Sequence, residues 1–163
     1  MQRLLALPLL VIAAFAPARA GIVYAGPAWA AVDRGATCEA LSRSLRIAAK
    51  GKVQATAGFT FSADHHRWGE FHALLRRMPR AGAAVMLRID DAPFLLVSRG
   101  NAAWSSGPLQ EQAIIAAIRG ANRMTVESRD GGGRTFVDPY ALAGAPTAID
   151  AAAAACAGKM QPR

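Results

Sequence analysis

The sequence has 163 residues, of which 53% are hydrophobic, with 19 Lys and Arg against 11 Asp and Glu and a formal net charge of +8. This length fits one domain with a real core. Only Arg76, Arg77 and Arg80 form a basic cluster, and no aromatic residues alternate with the basic residues. This pattern excludes a specific nucleic-acid platform. The positive net charge is still compatible with weak binding of polyanions such as acidic glycans or lipopolysaccharide.

Residues 1–20 are typical of a secretory signal peptide. Arg3 supplies a positive charge, an apolar run follows from Leu4 to Ala16, and Ala18-Arg19-Ala20 fits the small-x-small pattern that signal peptidase accepts. The run is shorter than the roughly 20 residues that a membrane-spanning helix needs. We therefore expect a periplasmic or secreted chain, residues 21–163, that forms a single domain without a transmembrane segment.

The two cysteines, Cys38 and Cys156, are expected to form a disulfide bond. Export takes them to an oxidising compartment, where two thiols have one intramolecular partner each. Neither cysteine lies in a C-x-x-C motif or beside a histidine, so the pattern favours a structural bridge over a catalytic thiol.

The first half of the mature chain predicts short strands joined by turns. Strands are expected over residues 28–33 and 37–45, around a turn at Arg34-Gly35. Residues 53–61 alternate with period two, which is typical of a half-buried strand. Residues 70–76 can return as its hairpin partner, with Phe71 and Ala73 on one side.

Two further hairpins are predicted in the second half. The apolar runs at residues 83–89 and 93–98 are separated by a short polar turn, and residues 124–128 and 134–137 flank three consecutive glycines. A phosphate-binding loop also uses glycines, but it requires a helix to follow, whereas here a strand follows. A nucleotide site is therefore not favoured.

Two helices complete the prediction. Ser106 can cap the first, Pro108 occupies its first turn and Gly120 ends it. Its expected buried stripe is Leu109, Ala113, Ile114, Ala117 and Ile118. The second helix runs from Pro146 to about Ala157, and it places Ile149 and Cys156 on one face. Many strands with two short helices indicate a mainly β fold rather than alternating βα units.

The second half of the chain resembles the invasion-associated locus B family. The resemblance lies in the run VMLRIDDAPFLLVSRGNAAW, the helix and strand of PLQEQAIIAAIRGANRMTVESRD, and the final YALAGAPTAIDAAAAAC. It implies an exported α-proteobacterial protein with an immunoglobulin-like β-sandwich and no established enzymatic activity. Family members often carry a cysteine pair in the stretch that here reads PFLLVSRGNAAW, so the resemblance implies a divergent member.

The segment SADHHRWGEFH, residues 62–72, contains all three histidines and is a candidate metal site. His65, His66, Glu70 and His72 supply the ligand types that zinc or copper prefers, and a hairpin could bring them together. Adjacent residues of an extended chain point to opposite faces, however, and no H-E-x-x-H motif is present. The alternative is an exposed turn with solvated histidines. A small periplasmic metal-binding protein is accordingly our second functional hypothesis.

Our first functional hypothesis is a non-enzymatic envelope protein, without a cofactor, that binds a partner. A hydrolase could use His72 as base and Ser62 or Ser98 as nucleophile, but no G-x-S-x-G elbow singles out a serine. Trp68 and Trp104 are the expected anchors for an envelope or host protein, because aromatic residues dominate binding hot spots.

Overall fold

The computed structural model describes residues 21–159, so the predicted signal peptide lies outside the described residues. Ten strands and two helices follow one another along this part of the chain. They are β1 (Gly21–Ala25), β2 (Trp29–Asp33), β3 (Thr37–Arg43), β4 (Thr56–Ser62), β5 (Trp68–Leu74), β6 (Val85–Ile89), β7 (Ala92–Arg99), β8 (Ala102–Trp104), α1 (Pro108–Ile118), β9 (Met124–Arg129), β10 (Thr135–Tyr140) and α2 (Ala145–Ala157).

All strands belong to one antiparallel sheet, in the order β1-β2-β3-β4-β5-β8-β7-β6-β9-β10. The sheet turns at β7, because residues 92–96 of this strand pair with β6 whereas residues 97–99 pair with β8. The two parts share one hydrophobic core, so the continuous sheet forms both layers of a sandwich. The prediction of a mainly β, sandwich-like fold with two short helices is confirmed.

Aromatic side chains fill the centre of the core. Phe59 on β4 lies 6.1 Å from Trp29 on β2 and 5.4 Å from Phe71 on β5, measured between ring centroids. The indole N–H of Trp29 donates a hydrogen bond to the carbonyl of Ala141 at 2.8 Å. β4 is buried on both of its faces, in contrast to the half-buried strand that its alternation predicts, because neighbouring side chains also cover Gly58.

The position of α1 and the burial of Ile114 and Ile118 agree with the prediction, but the cap and the remainder of the predicted buried stripe do not. Gly107, at φ 143°, takes the N-cap position in place of Ser106. Leu109 is 85% exposed, and the buried residues of the helix are Glu111, Ile114 and Ile118. A polar contact explains why the buried face differs from the predicted one. The Glu111 carboxylate accepts a hydrogen bond from the buried Ser105 hydroxyl, and this turns Leu109 towards solvent.

The Cys38–Cys156 disulfide is confirmed and ties α2 to β3. The two Cα atoms lie 5.7 Å apart, both residues are fully buried, and Ile149 lies on the same buried face of α2 as Cys156. The prediction misses the edge strand β1, which adjoins the predicted signal peptide, and β8, whose three residues are too few to show alternation. No helix within residues 21–159 has the length and apolar character needed to cross a membrane.

Candidate functional site

A groove of about 900 Å³ lies where the tip of the β4–β5 hairpin meets the helices α1 and α2. We call it the tryptophan groove, since both predicted anchors line it. Of the residues singled out in the sequence, the groove brings together His65, His66, Trp68, Glu70 and Trp104. α1 contributes Glu111 and Ile115, and the Arg119–Asp150 ion pair between α1 and α2 lies at the same place.

Local hydrogen bonds fix the hairpin tip. The Asp64 carboxylate accepts hydrogen bonds from the Ser62 hydroxyl at 2.5 Å and from the His66 N–H at 3.1 Å, and the bond from Ser62 is the main reason that the pKa of Asp64 is lowered. The Arg67 N–H donates in turn to the Ser62 hydroxyl. His65 takes a left-handed conformation at φ 60°. The tip is therefore a defined turn, in which polar side chains satisfy the backbone.

Trp68 is held from two sides. The His65 ring stacks on it at 4.1 Å with an interplanar angle of 5°, and Phe61 meets it edge-on at 5.4 Å. A register shift after Thr60 accommodates this arrangement, with Gly69 at φ 88°. The positive φ angle of Gly69 favours glycine at this position, and a Cβ there would also lie 2.8 Å from the Cδ1 atom of Ile115, whose side chain would have to move.

Two carboxylates, those of Glu70 and Glu111, line the groove apart from the Arg119–Asp150 ion pair. Burial raises the pKa of Glu70, with Arg67 opposing and Glu111 reinforcing the shift. Glu111 is not among the site residues predicted from the sequence. Glu111 precedes Ile114 by three residues and Ile118 by seven, so helical spacing places its carboxylate on the buried face of α1. This spacing could have indicated from the sequence that Glu111 is a candidate site residue.

His72 does not line the groove, although it pairs with Trp104. Cross-strand pairing places it in one row with Leu41, Gly58 and Trp104, and its Nε2 atom would be 3.0 Å from a Cβ added at Gly58. This Nε2 is buried and has no hydrogen-bond partner among residues 21–159. Burial lowers the pKa of His72, while the Glu39 carboxylate opposes that effect.

The four predicted metal ligands are therefore not assembled into one set. His65, His66 and Glu70 line the tryptophan groove, but His72 is packed over Gly58 on the sheet and does not line it. Across residues 21–159, no group of three or more His, Cys, Asp or Glu side chains is placed to hold a metal ion. The Ser62 hydroxyl donates to Asp64 rather than to His72, so the Ser62–His72 pair of the hydrolase alternative is not formed.

The buried imidazole of His72 predicts a pH effect on stability. The folded-state pKa lies below the ordinary value of 6.5, so the unfolded chain binds the proton first as the pH falls. We expect the free energy of unfolding to decrease as the pH drops below about 6.5 and to level off below the folded-state pKa. Urea unfolding at several pH values, compared between the wild type and His72→Gln, measures this. Equal slopes for the two proteins between pH 6.5 and 5 would contradict it.

Comparison with protein-family models, with curated proteins and with solved structures finds no match to this chain.

Proposed function

We propose that this protein is a non-enzymatic exported envelope protein of the invasion-associated locus B type, and that it binds a partner protein through the tryptophan groove. The observation that carries the proposal is the meeting of Trp68 and Trp104 in one groove of about 900 Å³. The two residues lie on different strands and are brought together only by folding. Tryptophan is among the residues that contribute most to protein interfaces.

The side chains that form the wall of the groove are held in place by contacts within the protein, and this supports the proposal. Trp68 is fixed by His65 and Phe61, and the hairpin tip is closed by the hydrogen bonds of Ser62 and Asp64. A side chain that is already immobile loses little conformational entropy when a partner arrives. The wall of the groove is therefore preorganised in the way that a binding surface needs.

The chemistry of the groove indicates what kind of segment it accepts. Trp68, Trp104 and Ile115 offer apolar surface, whereas Glu70 and Glu111 offer carboxylates. A partner segment that inserts an apolar side chain and brings hydrogen-bond donors or a positive charge beside it matches both features. The Cys38–Cys156 disulfide supports a periplasmic or secreted location for the encounter, since such bonds persist in oxidising compartments.

Trp68→Ala and Trp104→Ala are expected to weaken partner binding about 30-fold or more each, because truncation of a hot-spot tryptophan removes at least about 2 kcal/mol. Cross-linking of the purified protein to envelope extracts, with quantification of every captured protein, provides the measurement. Leu109→Ala is the matched control, since Leu109 is 85% exposed on α1 but does not line the groove. If both tryptophan variants capture the same partners as Leu109→Ala, the groove is not the binding site.

A further inference from the structure

A second surface lies at the opposite end of the β4–β5 hairpin from the tryptophan groove. It is formed by the loop between β3 and β4, residues 44–55, and by the chain that follows β5. Between them is a cleft of about 540 Å³, which we call the basic cleft. Arg46, Lys52, Arg76 and Arg77 line it, and no acidic side chain of the described residues does.

The four cations do not contribute equally to the charge of the basic cleft. Arg76 and Arg77 form ion pairs with Asp138 and Asp130 at 2.6 and 2.8 Å. Arg46 and Lys52 are exposed, and neither forms an ion pair within residues 21–159. These two residues therefore supply uncompensated positive charge at the end of the molecule.

Large apolar side chains protrude beside these charges. Ile47 is 76% exposed and Val53 is 42% exposed, and both line the basic cleft. Leu45 is 62% exposed in the same loop, and Met78 is 64% exposed just beyond Arg77. Single exposed apolar residues are common on protein surfaces, but a group of them in one region marks an interaction surface.

The loop that carries Ile47 and Val53 is held in place by the side-chain amide of Gln54. Its oxygen accepts a hydrogen bond from the Ala48 N–H at 2.9 Å, and its nitrogen donates to the carbonyls of Ser44 and Arg46 at 3.3 and 3.2 Å. Exposure of the two aliphatic side chains is therefore a property of an ordered loop. The loop presents apolar groups and cations together, on one surface.

We propose that this end of the protein docks on an anionic lipid surface, with the side chains of Ile47 and Val53 entering the boundary between headgroups and acyl chains and Arg46 and Lys52 contacting lipid phosphates. Charge complementarity favours an anionic occupant. The exposed aliphatic groups favour a lipid bilayer over a soluble polyanion, because a polyanion offers them no apolar environment.

The position of the basic cleft makes this docking compatible with partner binding. Thr56 and Leu74 pair at the cleft end of the hairpin, whereas Trp68 and His65 lie at its other end. A seven-residue strand spans about 20 Å. A protein attached to lipid through the basic cleft therefore presents the tryptophan groove away from the bilayer.

Sedimentation with lipid vesicles tests the inference directly. The purified protein is expected to bind vesicles that contain phosphatidylglycerol and not vesicles of phosphatidylcholine alone, and added salt should weaken the binding. Arg46→Glu/Lys52→Glu should lower the partition coefficient by about 25-fold or more, since each cation near an anionic surface contributes about fivefold. Arg67→Glu/Arg123→Glu has the same change in charge at exposed positions outside the cleft, with Arg67 at the opposite end of the hairpin, and should bind more tightly than the cleft variant.

Ile47→Ser/Val53→Ser separates lipid from soluble polyanions. Loss of two inserted aliphatic side chains should weaken vesicle binding by about tenfold, whereas Leu95→Ser/Leu109→Ser, which changes exposed leucines elsewhere, should leave it unchanged. If the wild-type protein does not bind vesicles that contain phosphatidylglycerol, the proposal is overturned. Full vesicle binding by Ile47→Ser/Val53→Ser, together with equal binding of heparin, would overturn it in favour of a polyanion site. Because the tryptophan variants leave the basic cleft intact, either result is independent of the partner-binding experiment.

Discussion

Replacement of both cysteines, Cys38→Ala/Cys156→Ala, is expected to lower the free energy of unfolding by about 4–5 kcal/mol. The bridge joins residues that are 118 positions apart and so closes almost the whole domain. In the chain-entropy description, a cross-link across a loop of about 100 residues removes conformational freedom worth about 4.7 kcal/mol from the unfolded chain. Both positions are fully buried, and alanine avoids placing an unpaired hydroxyl there.

Urea unfolding with and without a reductant measures this effect. Reductant should shift the midpoint of the wild type to that of the double alanine variant, while it leaves the variant unchanged. A wild-type midpoint that does not move once the thiols are shown to be free would contradict the prediction. A small domain commonly has a total stability of 5–15 kcal/mol, so the reduced protein is expected to be close to unfolding at 37 °C.

The sequence predicts the elements whose signals are local. The hairpin of β6 and β7 follows from two apolar runs around a short polar turn, and α2 follows from its alanine content. The disulfide was predictable because only one intramolecular pairing exists. These features depend on neighbouring residues or on the number of cysteines, and both can be read from the sequence without knowledge of the tertiary structure.

The rest depends on contacts between distant segments. The pairing of β5 with β8 positions Trp104 beside His72, and nothing near either residue in the sequence indicates this register. The outward direction of Leu109 depends on the hydrogen bond between Ser105 and Glu111, which helical periodicity does not contain. The separation of His72 from the other three candidate metal ligands has a similar origin, since Gly58 leaves the space in which His72 is packed.

Arg76→Ala is expected to lower the free energy of unfolding by about 3–5 kcal/mol, because it leaves a buried carboxylate without its partner. Asp138 is fully buried and accepts hydrogen bonds from the Arg76 Nε at 2.6 Å and from its backbone N–H at 3.3 Å. The Arg76 guanidinium also lies 5.7 Å from the centroid of the Phe136 ring. The pair joins the segment after β5 to β10, so its loss weakens the contact between the two layers.

Urea unfolding of three variants separates this loss from a general effect of removing arginine. Arg88→Ala removes a partner from the exposed ion pair with Glu127 and should cost less than about 1 kcal/mol. Arg76→Met/Asp138→Leu removes both buried charges and should recover much of the stability that Arg76→Ala loses, since the main cost is the uncompensated carboxylate rather than the missing attraction. If Arg76→Ala costs no more than Arg88→Ala, the buried pair does not hold the layers together. If the double variant is as unstable as the single one, the loss comes from packing around Phe136 and not from the charge on Asp138.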